Sequence, residues 1–220
     1  MYRSHDKALL TPSSGGRVSL AIHNCRKPTI AAMQGSAVGV GITMTLPMAI
    51  RIATKDAKIG FVFARRGLVM EAASSFFLPR LVGLSRAMHL VTTGATYPAS
   101  HRLYDGLFSE LTDRPDQVLP RALELATEYT DNCSGVSWAL MRDMMWRGPP
   151  SAEEAHLLDS RIIYAMFSSR DNKEGVQAFL QKRKVNFTGS IERDAPPAYP
   201  WWTPVDVVER TKAAAQKPKL

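Results

Sequence analysis

Residues 27–83, KPTIAAMQGSAVGVGITMTLPMAIRIATKDAKIGFVFARRGLVMEAASSFFLPRLVG, decide the fold of this chain. A short apolar run predicts a buried strand, the glycines after it predict a turn, and the next apolar segment predicts a helix. One carboxylate, Glu71, follows a second turn. The predicted elements are a strand at 29–33, a helix from 39 to 48, strands at 49–54 and 58–63, and a helix from about Glu71 to Gly83.

The remainder of the chain is predicted to be mainly helical. Short strands alternating with helices, followed by helices alone, predict an α/β core with an α-helical C-terminal part. We therefore expect a core over residues 1–118, a helical region over 119–189 and a partly extended tail over 190–220. Outside the quoted stretch, the predicted helices cover residues 17–24, 85–93, 100–106, 119–132, 134–146, 152–168 and 172–185.

Composition and charge narrow the class of partner. The chain has 220 residues, 45% of them hydrophobic, and a formal net charge of +8. It can bury a sizeable core, and its charge favours an anionic partner, whether nucleic acid, membrane surface or phosphorylated small molecule. Because the basic residues are dispersed and no zinc-ligand spacing or RRM motif occurs, a basic nucleic-acid-binding protein is an alternative that we do not favour.

Neither a membrane span nor a metal site is expected. The uncharged stretch from residue 28 to residue 50 is long enough to cross a bilayer. Its prolines, glycines and threonines favour a strand, a turn and a buried helix instead. The N-terminus lacks the apolar segment of a signal peptide. Cys25 and Cys133 lie far apart, which indicates neither a disulfide framework nor a metal site, and the five histidines have no metal-binding spacing.

Two features of the quoted stretch suggest chemistry. In residues 34–41, QGSAVGVG, the glycine spacing differs from the dinucleotide-binding pattern. Small residues between a strand and a helix let a backbone N–H approach a ligand, and such an N–H can stabilise an oxyanion. Glu71 could then be a general base. The alternatives are a turn selected for packing and an acidic residue that suits the first turn of a helix.

The same residues resemble the crotonase (enoyl-CoA hydratase/isomerase) superfamily, whose members read KPxIAAxxGxAxGxGxxLxxxxDxxIA at this point. The resemblance continues in FVFARRGLVMEAASSFFLPRLVG, TTGATYPASHRLYDGLFSEL and SSRDNKEGVQAFLQKRKVNF, and covers about residues 17–187. It implies a ββα-spiral core with a C-terminal α-helical trimerisation region. It also implies an acyl-CoA substrate, with coenzyme A as part of the substrate and no separate cofactor, and a homotrimer or hexamer.

The resemblance assigns roles to individual residues. The Val40 amide matches an oxyanion N–H donor of the family, and Gly39 beside it is expected to contact substrate. Glu71 matches the single catalytic glutamate of Δ3,Δ2-enoyl-CoA isomerases. Thr43 and Phe63 stand where the hydratases carry two glutamates. Since moving a double bond from C3 to C2 needs one base and hydration uses two groups, isomerisation is expected to outpace hydration.

By the same resemblance, Lys182 and Lys184 belong to a basic cluster near the phosphates of coenzyme A, often across a subunit boundary. The family usually has a further N-terminal portion, and no A-G-x-D-L-like segment with a second oxyanion donor occurs in this chain. The chain therefore looks N-terminally shortened. The alternative function is a catalytically impaired paralogue that binds full-length relatives as a subunit.

The C-terminal tripeptide predicts a location. Pro218, Lys219 and Leu220 approximate the S-K-L peroxisomal signal, which favours the peroxisome over the cytoplasm. This ending on an isomerase-like chain also resembles fungal peroxisomal enzymes of AK- and AF-toxin biosynthesis.

Overall fold

The computed structural model describes residues 14–207 of the chain. Its strands are β1 (Ile30–Met33), β2 (Ala37–Val38), β3 (Ile50–Thr54), β4 (Lys58–Gly60), β5 (Thr96–Pro98) and β6 (Glu110–Thr112). Its helices are α1 (Ser14–Asn24), α2 (Val40–Thr43), α3 (Ser74–Val82), α4 (Leu84–Thr93), α5 (Pro115–Asn132), α6 (Gly135–Arg147), α7 (Ala152–Met166), α8 (Arg170–Gln181) and α9 (Ile191–Asp194). Two short 3-10 helices cover Ala64–Arg66 and Arg102–Tyr104.

The strands form two small sheets, and the chain passes back and forth between them. The first sheet has the order β1-β3-β6 with all strands parallel. In the second sheet, β2 and β4 are parallel and β5 is antiparallel to β4. Because β2 lies between β1 and β3 in sequence but belongs to the other sheet, the backbone winds as a two-layer spiral.

Apolar side chains fill the space between the sheets and helices α2, α3 and α4. Helix α5 covers the outer face of the first sheet, where Val118 and Ala122 pack with Ile52. A separate cluster lies between α6, α7 and α9. The largest side chains of the main core that are fully buried are Ile42, Leu46, Ile59, Phe61, Phe77, Leu78, Leu90 and Leu107.

A buried cation joins α2 to the first sheet. Arg51 of β3 is 5% exposed, and its Nε donates to the carbonyl of Leu107 at 2.6 Å. Its Nη1 donates to the carbonyls of Met48, Leu46 and Thr45 at 2.6, 3.2 and 3.4 Å. Burial lowers the pKa of Arg51 to about 10, so the group remains a cation at neutral pH. These carbonyls belong to the loop after α2 and to the segment before β6.

Several element boundaries differ from the sequence predictions. The helix predicted from residue 39 to residue 48 ends at Thr43. The helix predicted over 100–106 is only the 3-10 turn Arg102–Tyr104, because the Tyr104 hydroxyl donates to the carbonyl of Ile59 at 2.6 Å and holds this segment on β4. Strands β5 and β6 were missed. The predicted boundary after residue 118 falls within α5, and the division into domains stays a prediction.

The described part of the tail packs on α6. The Tyr199 hydroxyl donates to the carboxylate of Asp143 at 3.1 Å, and the Trp201 indole donates to the carbonyl of Arg147 at 3.0 Å. The Arg147 guanidinium lies 4.3 Å from the centre of the Trp202 ring. Between residues 14 and 207 no helix is both long and apolar enough to cross a membrane.

Helix α1 connects the core to the helical region. At its C-terminal end, the His23 ring packs edge-on against Phe77 of α3 and Trp146 of α6. Arg142 of α6 donates to the carbonyl of His23, and Arg147 donates to the side chain of Asn24 at 2.6 Å. The position of α1 therefore depends on α6.

The half-buried His23 makes stability sensitive to acid. Burial, and then the nearby charges of Arg147 and Arg142, lower the pKa of His23 from 6.5 to about 4. Between these two values the unfolded chain binds a proton at this site and the folded chain does not, so stability falls as pH decreases from 6.5 towards 4. We expect His23→Asn to show a smaller decrease in the free energy of unfolding between pH 7 and pH 5, measured by urea denaturation.

The matched control is His156→Asn, because His156 is exposed on α7. It should show the same pH dependence as the unmodified protein. An unchanged pH dependence in His23→Asn would remove His23 as the cause.

Candidate functional site

The glycine turn orients the start of α2. Gly39 adopts φ 59° and ψ −126°, a backbone conformation that is open essentially to glycine alone. Its N–H donates to the carbonyl of Gly60 at 3.0 Å, which fixes the turn on β4. The N–H of Val40, the next residue, lies in the first turn of α2, where helix geometry provides no acceptor within the helix. In the part of the chain that the structure describes, no acceptor is found for this N–H.

Glu71 lies in a tight turn before α3. Ala72 and Ala73 both have positive φ, 57° and 55°, which is uncommon for residues other than glycine. Ser74 donates to the carbonyl of Glu71 through its backbone N–H at 3.0 Å and through its hydroxyl at 2.6 Å. Because α3 begins at Ser74, the prediction of a helix from Glu71 is wrong. Glu71 is therefore not an acidic residue of a first helical turn.

The carboxylate of Glu71 contacts α2. The Thr43 hydroxyl donates to Glu71 Oε1 at 2.6 Å, and Thr43 is fully buried. The start of α1 closes the other side: a Cβ at Gly15 would collide with Glu71 Oε2 and lie 3.6 Å from a methyl group of Val40. Glycine at position 15 therefore allows α1 to approach this carboxylate. Glu71, Val40 and Thr43 meet at one site beneath the start of α1.

Among residues 14–207, Glu71 is the carboxylate that the structure places beside Val40 and Thr43. Phe63, after β4, is half-buried and packs against the main core, so it adds no polar group. Among the described residues, Glu71 is the sole carboxylate in hydrogen-bond contact with Thr43. No group of three or more His, Cys, Asp or Glu residues within 14–207 could hold a metal ion. The arrangement can supply one general base and one backbone N–H donor.

The two lysines predicted to bind coenzyme A, Lys182 and Lys184, lie just after α8. Helix α8 ends at Gln181, and Lys182 has a left-handed backbone with φ 53°, so the helix predicted to residue 185 is shorter. Arg183 turns back to pair with Glu174 at 2.6 Å. Lys182 and Lys184 are exposed. Within the described chain, neither forms a salt bridge with Glu71. Pro218, Lys219 and Leu220 lie outside the described residues.

Sequence reasoning missed three residues of the site. Gly15 begins a Gly-Gly pair in α1, and such a pair can signal close approach of two backbones. Ser74, three residues after Glu71, has the spacing of a side chain that bonds a nearby carbonyl. Thr43 was considered only as unable to act as acid or base, and nothing in the sequence indicates that its hydroxyl reaches Glu71.

The fold and the site define a class of protein. Residues 3–190 match the family profile described as Enoyl-CoA hydratase/isomerase, and the chain belongs to this family. A solved structure of a probable enoyl-CoA hydratase/isomerase from Mycobacterium abscessus superposes with a TM-score of 0.75. It is 31% identical, and the match covers 81% of this chain and 72% of that one. The crotonase fold predicted from the sequence is confirmed.

Two of the similar proteins come from the fungus Alternaria alternata. The chain is 58% identical over 182 residues to enoyl-CoA hydratase AFT3-1 of Alternaria alternata and 56% identical over 182 residues to enoyl-CoA hydratase AKT3-2 of the same organism. Each match covers 83% of this chain and 62% of the relative. The chain thus spans less than two thirds of the length of these curated relatives. The predicted resemblance to fungal members of the family is confirmed.

The turn allows a test of its backbone conformation. A Cβ at Gly39 or at Gly35 would meet no atom within 4 Å, but only Gly39 has positive φ. We expect Gly39→Ala to lower the free energy of unfolding by about 1–3 kcal/mol through backbone strain. Gly35→Ala, the control, should change it by less than about 0.5 kcal/mol. Equal effects of the two variants in urea denaturation would contradict the strained turn.

Proposed function

We propose that this chain acts on enoyl-CoA thioesters and moves the carbon–carbon double bond from C3 to C2, with Glu71 as the only acid–base group. The observation that carries this proposal is the hydrogen bond between the Thr43 hydroxyl and the Glu71 carboxylate. Thr43 belongs to α2, the same helix that begins with Val40. Family membership supplies the substrate class. The single carboxylate supports isomerisation.

The proposed reaction needs one proton to leave and return. Glu71 takes a proton from C2, and the electron pair of the broken C–H bond delocalises over C2–C4 and the thioester carbonyl as a dienolate. The N–H of Val40 donates to the thioester oxygen and stabilises its negative charge. The protonated Glu71 then returns the proton to C4, which leaves the double bond conjugated with the thioester. Coenzyme A is part of the substrate, and proton transfer uses no separate cofactor.

Hydration is the second candidate reaction. The two Alternaria relatives are both named enoyl-CoA hydratases, which favours it. Hydration requires that water be oriented and that a proton reach the adjacent carbon. Thr43 and Phe63 provide no second carboxylate for this, so we propose that isomerisation is the faster reaction.

We also propose a metabolic setting. Similarity to AFT3-1 and AKT3-2 supports fungal toxin biosynthesis, and general fatty-acid metabolism is the alternative. The C-terminal Pro218-Lys219-Leu220 supports the peroxisome over the cytoplasm.

Exposed apolar residues in the helical region favour the proposal that the chain associates with itself. Several large apolar side chains of this region are exposed, and exposed patches of this kind usually mark interfaces. Phe179 is 82% exposed near the end of α8. Leu140 and Ile162 of the same region are buried in the cluster of α6, α7 and α9. The exposed large apolar residues of this region are Leu119, Leu123, Met141, Met145, Leu157, Ile163, Tyr164, Phe167, Val176, Phe179 and Leu180.

We therefore propose that the chain forms a homotrimer or hexamer. A longer relative could take the place of some subunits in such an assembly. In such an assembly Lys182 and Lys184 of one subunit could approach the phosphates of a coenzyme A bound to its neighbour.

The role of the base can be tested directly. We expect Glu71→Gln to lower kcat for 3-enoyl-CoA isomerisation by at least about 100-fold, because the amide cannot accept the proton. KM should change little. The control is Glu128→Gln, since Glu128 is exposed on α5 and should leave kcat unchanged. Hydration of 2-enoyl-CoA, followed in the same preparation, should be slower than isomerisation. An unchanged kcat in Glu71→Gln removes Glu71 from the mechanism, and faster hydration favours the second candidate.

Assembly is tested separately from activity. Light scattering at low micromolar concentration should give a mass several times the 24.3 kDa of one chain. Phe179→Asp places a charge on the exposed apolar face, so it should decrease that mass. A stable monomer of the unmodified chain would contradict the assembly.

A further inference from the structure

We propose that Thr43 is a positioning residue for Glu71: its hydroxyl holds Oε1 and thereby restrains the orientation of the whole carboxylate. This inference rests on the proposed function, because it assigns a partner to the proposed base. Thr43 would not exchange a proton with the substrate. It would act only through Glu71.

The contact has the geometry of a strong hydrogen bond. The distance of 2.6 Å between Thr43 Oγ1 and Glu71 Oε1 is typical of a hydroxyl that donates to a charged carboxylate. Thr43 is fully buried, so water does not compete for its hydroxyl. The nearest alternative acceptor is the carbonyl of Val40 at 3.5 Å, which is too long to attract the hydroxyl proton equally. The proton is therefore directed to Glu71.

The side-chain conformation of Thr43 is restricted by its place in α2. In a helix, a threonine hydroxyl selects between two rotamers, and one of them faces the carbonyl three or four residues earlier. The contact of Oγ1 with the Val40 carbonyl, three residues earlier, indicates this rotamer. The same rotamer directs Oγ1 at Glu71. One short helix thus holds both the oxyanion donor, Val40 N–H, and the hydroxyl that orients the base.

The opposite side of the carboxylate is limited by α1. A Cβ at Gly15 would lie 3.2 Å from Glu71 Cδ and would collide with Oε2, so the carboxylate lies directly against the start of α1. The backbone carbonyl of Glu71 is fixed by Ser74. The backbone of this turn and the contact with α1 limit where the side chain can lie, and the Thr43 hydroxyl further restricts it by holding Oε1.

Misorientation of a base is costly in rate because proton transfer needs close alignment, and a displacement of about 1 Å can reduce rate about 100-fold. We expect Thr43→Val to lower kcat for isomerisation about 10- to 100-fold with KM nearly unchanged. Thr43→Ser, which keeps the hydroxyl, should recover most of kcat.

Thr45→Val is the matched control: Thr45 is also buried in this segment, but its hydroxyl donates to the carbonyl of Ile42 at 2.8 Å. It should keep kcat within about twofold of the unmodified protein.

A double-mutant cycle separates positioning from a general structural effect. If Thr43 acts through Glu71, adding Thr43→Val to Glu71→Gln should cause little further loss of the residual kcat. An additional 10-fold loss would overturn the proposal, and so would a Thr43→Val kcat equal to that of the unmodified protein. Equal losses in Thr43→Val and Thr45→Val would also overturn it. The proposed function fails instead if Glu71→Gln retains kcat, so the two failures are distinguishable.

Discussion

The buried guanidinium of Arg51 is the interaction on which the position of α2 and of the loop after it depends. An arginine has several N–H donors in a fixed plane, so a single side chain can serve the carbonyls of Thr45, Leu46, Met48 and Leu107. A buried charge is costly unless its hydrogen bonds are made. These bonds fix the loop after α2 against β3, and α2 carries both Val40 and Thr43. The site is thus anchored from behind by a cation that takes no part in its chemistry.

Helix α1 gives the helical region a structural influence on the site within one chain. Arg142 and Arg147 of α6 hold its C-terminal end, while Gly15 at its other end lies against Glu71. A displacement of α6 would therefore move the wall above the carboxylate. The helical region supports both the proposed assembly surface and the local geometry of the site, so loss of association and loss of activity need not have separate causes.

The sequence predicted what depends on local signals. The turn at Gly39 and the isolated carboxylate Glu71 could be found because glycine spacing and charge are visible in a short window. The contact between Thr43 and Glu71 spans 28 residues and exists only once the spiral has folded. Strands β5 and β6, three residues each, are too short to show alternation and are defined by pairing with β4 and β3. Helix α8 ends at Gln181, and Arg183 then pairs with Glu174 of the same helix. Helix propensity does not reveal this reversal of the chain.

The two left-handed alanines before α3 have a consequence for how this chain can change. Ala72 and Ala73 each retain a conformation that disfavours a side chain by about 1–2 kcal/mol. Glycine at either position would relieve that cost, but it would also loosen the segment that carries Glu71. Selection for heat resistance and selection for turnover would therefore act in opposite directions at these two positions. Alanine at these two positions keeps the segment that carries Glu71 rigid at a cost to the stability of the fold.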